Sequence, residues 1–273
     1  MKKLLLTTRD IFVILLLVIF AQVITGISFL IHNQAYARIV AGVIYALVFY
    51  FGFRLLRRWL FSNTDSKIFP PQFHVHYLSY ALGLTGLILV GYLIIGFRVV
   101  KPPLSHNLFT ENLASILFAD SLVAPFIEEV TFRGVILHQI AARYNSVVGV
   151  VVSSLLFGSV HLMNGQLDLI SAIQLVLVGT LMGILLALIY IKEQSIWASF
   201  TVHASYNLLW SLFPFQTTVS HDWPIQFILR SHQQLITGGK YGVDCSLPNI
   251  IAYTVVVVVV AYQLYRSKGR FVR

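Results

Sequence analysis

The stretch from Leu169 to Ile191, LISAIQLVLVGTLMGILLALIYI, holds no charged residue and ends against Lys192 and Glu193. A helix rises about 1.5 Å per residue and the hydrocarbon core of a bilayer is about 30 Å thick, so roughly 20 apolar residues reach across it. This run is long enough and predicts a membrane-spanning helix. Comparable runs lie near 11–31, 36–53, 77–97, 113–131, 147–163, 195–213 and 249–265. The expected fold class is therefore all-α: a polytopic membrane protein of about eight transmembrane helices. The fourth run keeps helical character to about Arg143, while the fifth and seventh are short or partly polar. The last contains Val255 to Val260, a β-branched run that would suit a buried strand in water. Apolar neighbours and the basic residues that follow favour a membrane helix instead.

Charge distribution tests this layout. Of 19 Lys and Arg, five (Arg38, Arg98, Lys101, Arg230 and Lys240) fall on one side of the eight-span arrangement and 14 on the other. Basic residues concentrate in cytoplasmic segments, so both termini are expected inside, which requires an even number of spans. Lys2 and Lys3 precede the first apolar run, and Ala35-Tyr36-Ala37 resembles a signal-cleavage site. That run extends about 20 residues, however, against the 7–15 of a signal peptide, and an uncleaved first helix is expected.

Composition agrees. The 273 residues are 58% hydrophobic and 11% charged, where a soluble domain carries about 25% charged residues. A single membrane-embedded domain over residues 1–273 is expected, with a multi-pass location in the cell membrane, a bacterial plasma membrane in particular. The net charge of +9 is dispersed in short clusters at the ends of apolar runs, as beside a bilayer, and implies no nucleic-acid partner. A lone cysteine, Cys245, excludes an intramolecular disulfide and a cysteine-based metal site. The longest non-spanning segment, 214–248, carries an apolar patch from Ile225 to Leu229 that would suit the membrane interface. Residues 61–74, with Pro70 and Pro71, form an inner connection.

Ionisable side chains inside a membrane are costly, so each is a functional-site candidate. The first cluster is Glu128-Glu129-Val130-Thr131-Phe132-Arg133. On a helix Glu129 and Arg133 share a face, which reads as a structural ion pair. Glu128 is rotated about 100° away and is left to face a cavity, where it could take a proton from water. The second cluster is Phe157-Gly158-Ser159-Val160-His161, and the third His203-Ala204-Ser205-Tyr206-Asn207; each puts its end residues four apart on one face. His203 and Asn207 could join helices by hydrogen bonds or stabilise an oxyanion. Together, two carboxylates, two histidines and an asparagine make an inventory for hydrolysis. No Gly-x-Ser-x-Gly elbow is present, so attack by activated water fits better than a covalent serine mechanism.

Glu-Glu-x-x-x-Arg at 128–133, Phe-x-x-x-His at 157–161 and His-x-x-x-Asn at 203–207 resemble the three signature motifs of the CPBP family. These are the CAAX protease and bacteriocin-processing proteins, relatives of the type II CAAX prenyl endopeptidase Rce1. The resemblance covers about residues 110–212, the expected catalytic core. It implies an intramembrane glutamate-dependent endopeptidase in which Glu128, helped by His161, activates water, and His203 and Asn207 form the oxyanion hole. Glu129 and Arg133 would hold the first motif in place and Phe157 would pack the site. The substrate would be a membrane-associated peptide or protein, and bacterial relatives suggest a role in bacteriocin processing or self-immunity. No cofactor is expected. Three other readings stand beside this one. Zinc could be held by Glu128 or Glu129 with His161 and His203, although Arg133 would oppose a cation. A non-catalytic immunity or partner-binding protein could keep the same fold. A proton relay or transporter also uses buried Glu and His.

Overall fold

A computed structural model of the chain describes residues 1–60 and 73–268; the inner connection expected over 61–74 lies almost wholly outside the described residues. In chain order the elements are α1 (Lys2–Ile24), α2 (Gln34–Leu60), α3 (Tyr77–Ile95), β1 (Phe97–Val100), α4 (His106–Ala114), α5 (Ala124–Glu129), α6 (His138–Arg143), α7 (Ser146–Val160), α8 (Leu169–Glu193), α9 (Ile196–Leu212), β2 (Phe215–Gln216), β3 (Gln226–Leu229), α10 (Gln234–Thr237) and α11 (Leu247–Lys268). A tight helical turn, Thr25–Leu30, extends α1. The run Val255 to Val260 is helical, within α11.

Between α4 and α6 the chain never leaves helical conformation. It widens into π turns over Ser115–Val123 and Val130–Leu137, so residues 106–143 form one helical path. Pro125 sits at the start of α5 and has no N–H for the usual ladder. Just before it, the Ala124 N–H reaches back five residues to the Ala119 carbonyl. Wide turns of this kind are frequent at functional sites.

The protein is a helical, polytopic membrane protein. Six of its helices among the described residues are long and apolar enough to cross a bilayer: Lys2–Leu30, Gln34–Arg57, Tyr77–Ile95, Ser146–Met163, Leu169–Glu193 and Leu247–Arg266. The two remaining runs of the eight-span reading, 113–131 and 195–213, are helical but are not in this set. They are the two that carry Glu128, Glu129, His203 and Asn207, and α9 is only 17 residues long. Phe157 and His161 lie instead on Ser146–Met163, which is in the set.

Polar clasps join segments that charge counting assigns to one side. Asp10, fully buried in α1, pairs with Arg143 at the end of α6. His76, just before α3, and Tyr80 within it meet Glu193 at the end of α8. At the opposite side, Arg38 of α2 pairs with Glu111 of α4 at 2.6 Å.

Of the apolar patch Ile225 to Leu229, the residues from Gln226 onward form a largely buried strand, and Ile225 before it is exposed. β3 is the centre of a three-stranded sheet, antiparallel to β1 (Phe97 opposite Leu229) and parallel to β2 (Phe215 opposite Phe227). Ile228 and Leu229 are buried, and Phe215 stacks on Tyr92 and Phe227. The sheet closes one end of the helical bundle. At its centre α7 crosses α8 with almost no side chain between them: a Cβ on Gly179 would meet the Gly158 Cα at 2.7 Å, and one on Gly183 would meet the Ser154 Cα at 2.9 Å. Small residues of this kind let membrane helices approach backbone to backbone.

Candidate active site

The three motifs converge. Glu128, Phe157, His161, His203 and Asn207 all line one cavity of about 580 Å³. Its walls come from residues 106–143, α7, α8 and α9, and its roof from the segment after α9.

The two adjacent glutamates part as the helical period requires. Glu129 is fully buried, and Arg133, one turn later, is 1% exposed. The Arg133 Nη1 lies 3.1 Å from Glu129 Oε1, and Nη2 donates to the Gly183 carbonyl at 3.2 Å. The guanidinium also stacks over the Phe157 ring, 4.6 Å from its centroid. One arginine therefore joins the first motif, the second motif and the α7–α8 crossing. The Glu128 side chain, by contrast, is 26% exposed and turned to the cavity.

His203 lies between the carboxylates, and no local pattern indicated this. Its Nδ1 is 3.0 Å from Glu129 Oε1 and its Nε2 3.7 Å from Glu128 Oε2. A carboxylate only accepts, so Nδ1 carries the proton toward Glu129, and Nε2 faces Glu128 and the cavity. His161 is oriented by its own helix. At the C-terminal end of α7, its Nδ1 is 2.6 Å from the Phe157 carbonyl, which can only accept. In neutral imidazole that leaves Nε2 as the basic nitrogen. Phe157 stands between the two histidines, with ring centroids 4.9 Å from His161 and 5.8 Å from His203. Asn207 donates to the Asp120 carbonyl at 2.9 Å, tying α9 to the wide turn before α5.

Sequence reasoning missed Asp120, Tyr206 and Asp244, all of which line the same cavity. Tyr206 sits inside the third motif and donates to the Asp244 carboxylate at 2.8 Å. Asn249 donates to the Tyr206 hydroxyl at 2.7 Å. Asp244 lies in the turn before α11, where the surrounding protein holds its carboxyl above the usual range while Tyr206 and His161 oppose the shift. The only sequence signal for Asp244 was an acidic residue beside Cys245. Burial pushes the Cys245 thiol up to about 12, so it stays protonated at neutral pH and is no nucleophile.

Among the described residues no group of three or more His, Cys, Asp or Glu side chains is arranged to hold a metal ion. Of the zinc set considered from the sequence, Glu129 is committed to Arg133 and His203, while Glu128, His161 and His203 line the cavity together.

Residues 110–209 match the family described as Type II CAAX prenyl endopeptidase Rce1-like, the family that the three motifs resemble, and one of proteases. The matched segment begins in α4 and ends in α9, so it spans all three motifs and leaves out α1 to α3 and Asp244. No curated protein and no solved structure matches the chain.

Proposed function

We propose that the protein is an intramembrane endopeptidase that cleaves a membrane-associated peptide or protein with water activated by Glu128. The observation that carries this reading is the division of labour between adjacent residues. Glu129 is sealed against Arg133 and His203, and Glu128 is the carboxylate of the pair that reaches the cavity. A general base must be accessible and its neighbour must hold it in place.

In this mechanism Glu128 takes a proton from water, and the water oxygen attacks the scissile carbonyl carbon. His161, with Nε2 free, accepts a hydrogen bond from the same water. Negative charge gathers on the carbonyl oxygen, where the second amide hydrogen of Asn207 donates, joined by Nε2–H of His203 when that ring is an imidazolium. Such donors count for more in a site that excludes bulk water. Glu128 then returns the proton to the leaving nitrogen as the C–N bond breaks. The nearness of His203 to both glutamates supports this arrangement. The reaction needs no metal in this reading. Processing of, or immunity to, a bacteriocin at a bacterial plasma membrane is the role we infer, since the resemblance is to that group of proteases.

The test is cleavage of candidate membrane peptides by purified protein in liposomes, followed by mass spectrometry. Glu128→Gln should lower the rate by about 10²–10⁴-fold, the usual contribution of a general base, with thermal unfolding unchanged. Wild-type rates in that variant would rule out the mechanism. Immunity that survives Glu128→Gln in cells would instead favour a non-catalytic partner-binding protein.

A further inference from the structure

On the opposite face of the catalytic helix from the glutamates lies a second cavity, of about 920 Å³. Phe49 and Phe53 of α2, Ile127 of α5 and the following Val130 form its buried floor, and Phe200 of α9 contributes a wall. Leu47, Tyr50 and Leu122 on its rim are exposed, so the groove opens sideways, to lipid where the helices cross the membrane. Its lining is apolar with one exception: Arg54 and Arg57, exposed at the closing end of α2, both border it. They are three residues apart and so share a helical face. Among the described residues neither pairs with a carboxylate. Charge counting puts this end of α2 on the cytoplasmic side.

We infer that this groove is a binding site for an anionic phospholipid of the inner leaflet, with its acyl chain against Phe49, Phe53 and Ile127 and its phosphate between Arg54 and Arg57. Each half of the site asks for half of that ligand. An apolar trough would accept any alkyl chain, but two guanidiniums at its cytoplasmic mouth select a negative headgroup, and planar guanidinium forks suit phosphate oxygens. Basic pockets between helices on the cytoplasmic side are a recognised setting for acidic lipid headgroups. The distance fits as well: from Ala46 to Arg57 the helix climbs about 16 Å, roughly half the hydrocarbon thickness and hence one leaflet. Ile127 and Val130 flank the two glutamates in sequence, so the lipid forms the back wall of the catalytic helix.

Lipid retention reads the groove alone, with no cleavage step in the assay. Delipidated full-length protein would be exposed to vesicles of phosphatidylglycerol or of phosphatidylcholine, and bound lipid counted by native mass spectrometry. Phosphatidylglycerol should be retained in preference. The double variant Arg54→Gln/Arg57→Gln should weaken it about 30-fold, equivalent to about 2 kcal/mol, which is what two basic residues near anionic lipid contribute. Ala46→Trp fills the groove and leaves both arginines in place; it should lose the lipid too, with far-UV circular dichroism reporting that the fold persists. Equal retention of the two lipids, or full retention in the double variant, would overturn the assignment. So would lipid held undiminished by a folded Ala46→Trp protein. A lipidated peptide that enters the groove where phosphatidylglycerol does not would also overturn it, and would give the groove to a substrate chain.

Discussion

α2 and α8 read alike as sequence, each a long apolar helix with basic residues close to its end. In the fold they differ. Half of the most apolar window of α8 is buried inside the protein, but only 17% of that of α2. Lipid and protein core both demand apolar side chains, so hydropathy cannot separate a helix that faces one from a helix that faces the other. Fine detail does separate them. α8 brings Gly179 and Gly183 to the α7 backbone and lends the Gly183 carbonyl to Arg133. α2 turns Leu47, Tyr50 and Phe51 outward.

That contrast is open to challenge by substitution, beginning with the strongest effect. Arg133→Ala, on the buried side, should cost about 3–5 kcal/mol, because it strands the Glu129 carboxylate in the interior. Denaturant unfolding in detergent would measure it, and a loss below about 1 kcal/mol would mean that water reaches Glu129. Gly179→Leu should follow, at about 1–3 kcal/mol for forcing a side chain into a packed crossing. Because Gly158 is the residue next to Phe157, cleavage activity should fall with it. Gly86→Ala in α3, where nothing lies within 4 Å of the new Cβ, should be neutral or stabilise by about 0.4–1 kcal/mol through the unfolded chain. A destabilised Gly86→Ala protein would count against an open α3 surface at this position.

The helix caps give the gentlest and most selective comparison. The first turn of α8 is capped by Asp168, which accepts from the Ser171 N–H at 3.0 Å, and the first turn of α2 by Asn33, which accepts from the Tyr36 N–H at 3.1 Å. The Ser171 N–H, with help from Gln234, holds the Asp168 carboxyl down at about 2. A carboxyl lower in the folded than in the unfolded state stabilises above its ordinary value of about 3.9, and that contribution fades as pH falls through about 2. Asn33 does not titrate. The protection of the Ser171 amide, its exchange compared with the intrinsic rate at each pH, should therefore fall in acid while that of Tyr36 does not; parallel behaviour of the two amides would remove the distinction.

How much of the site was legible depended on distance along the chain. The separation of Glu128 from Glu129, and the pairing of Glu129 with Arg133, followed from a period of 3.6 residues. The helical continuation to Arg143 was legible in the same way, although its wide turns were not. The contact of His203 with Glu129 joins residues 74 apart, and no periodicity reports on that. The Tyr206–Asp244 bond was hidden for the same reason, as was the sheet, whose strands of two to four residues are too short to show an alternation.

From the order of residues alone came the apolar helical passes and the face that each motif presents, since these are set by backbone geometry within a few turns. The fold alone decided which apolar helices meet lipid, that His203 rather than His161 stands between the glutamates, and that Asp244 joins the cavity. Those outcomes depend on how segments tens of residues apart pack together, and close packing is a property of the whole bundle.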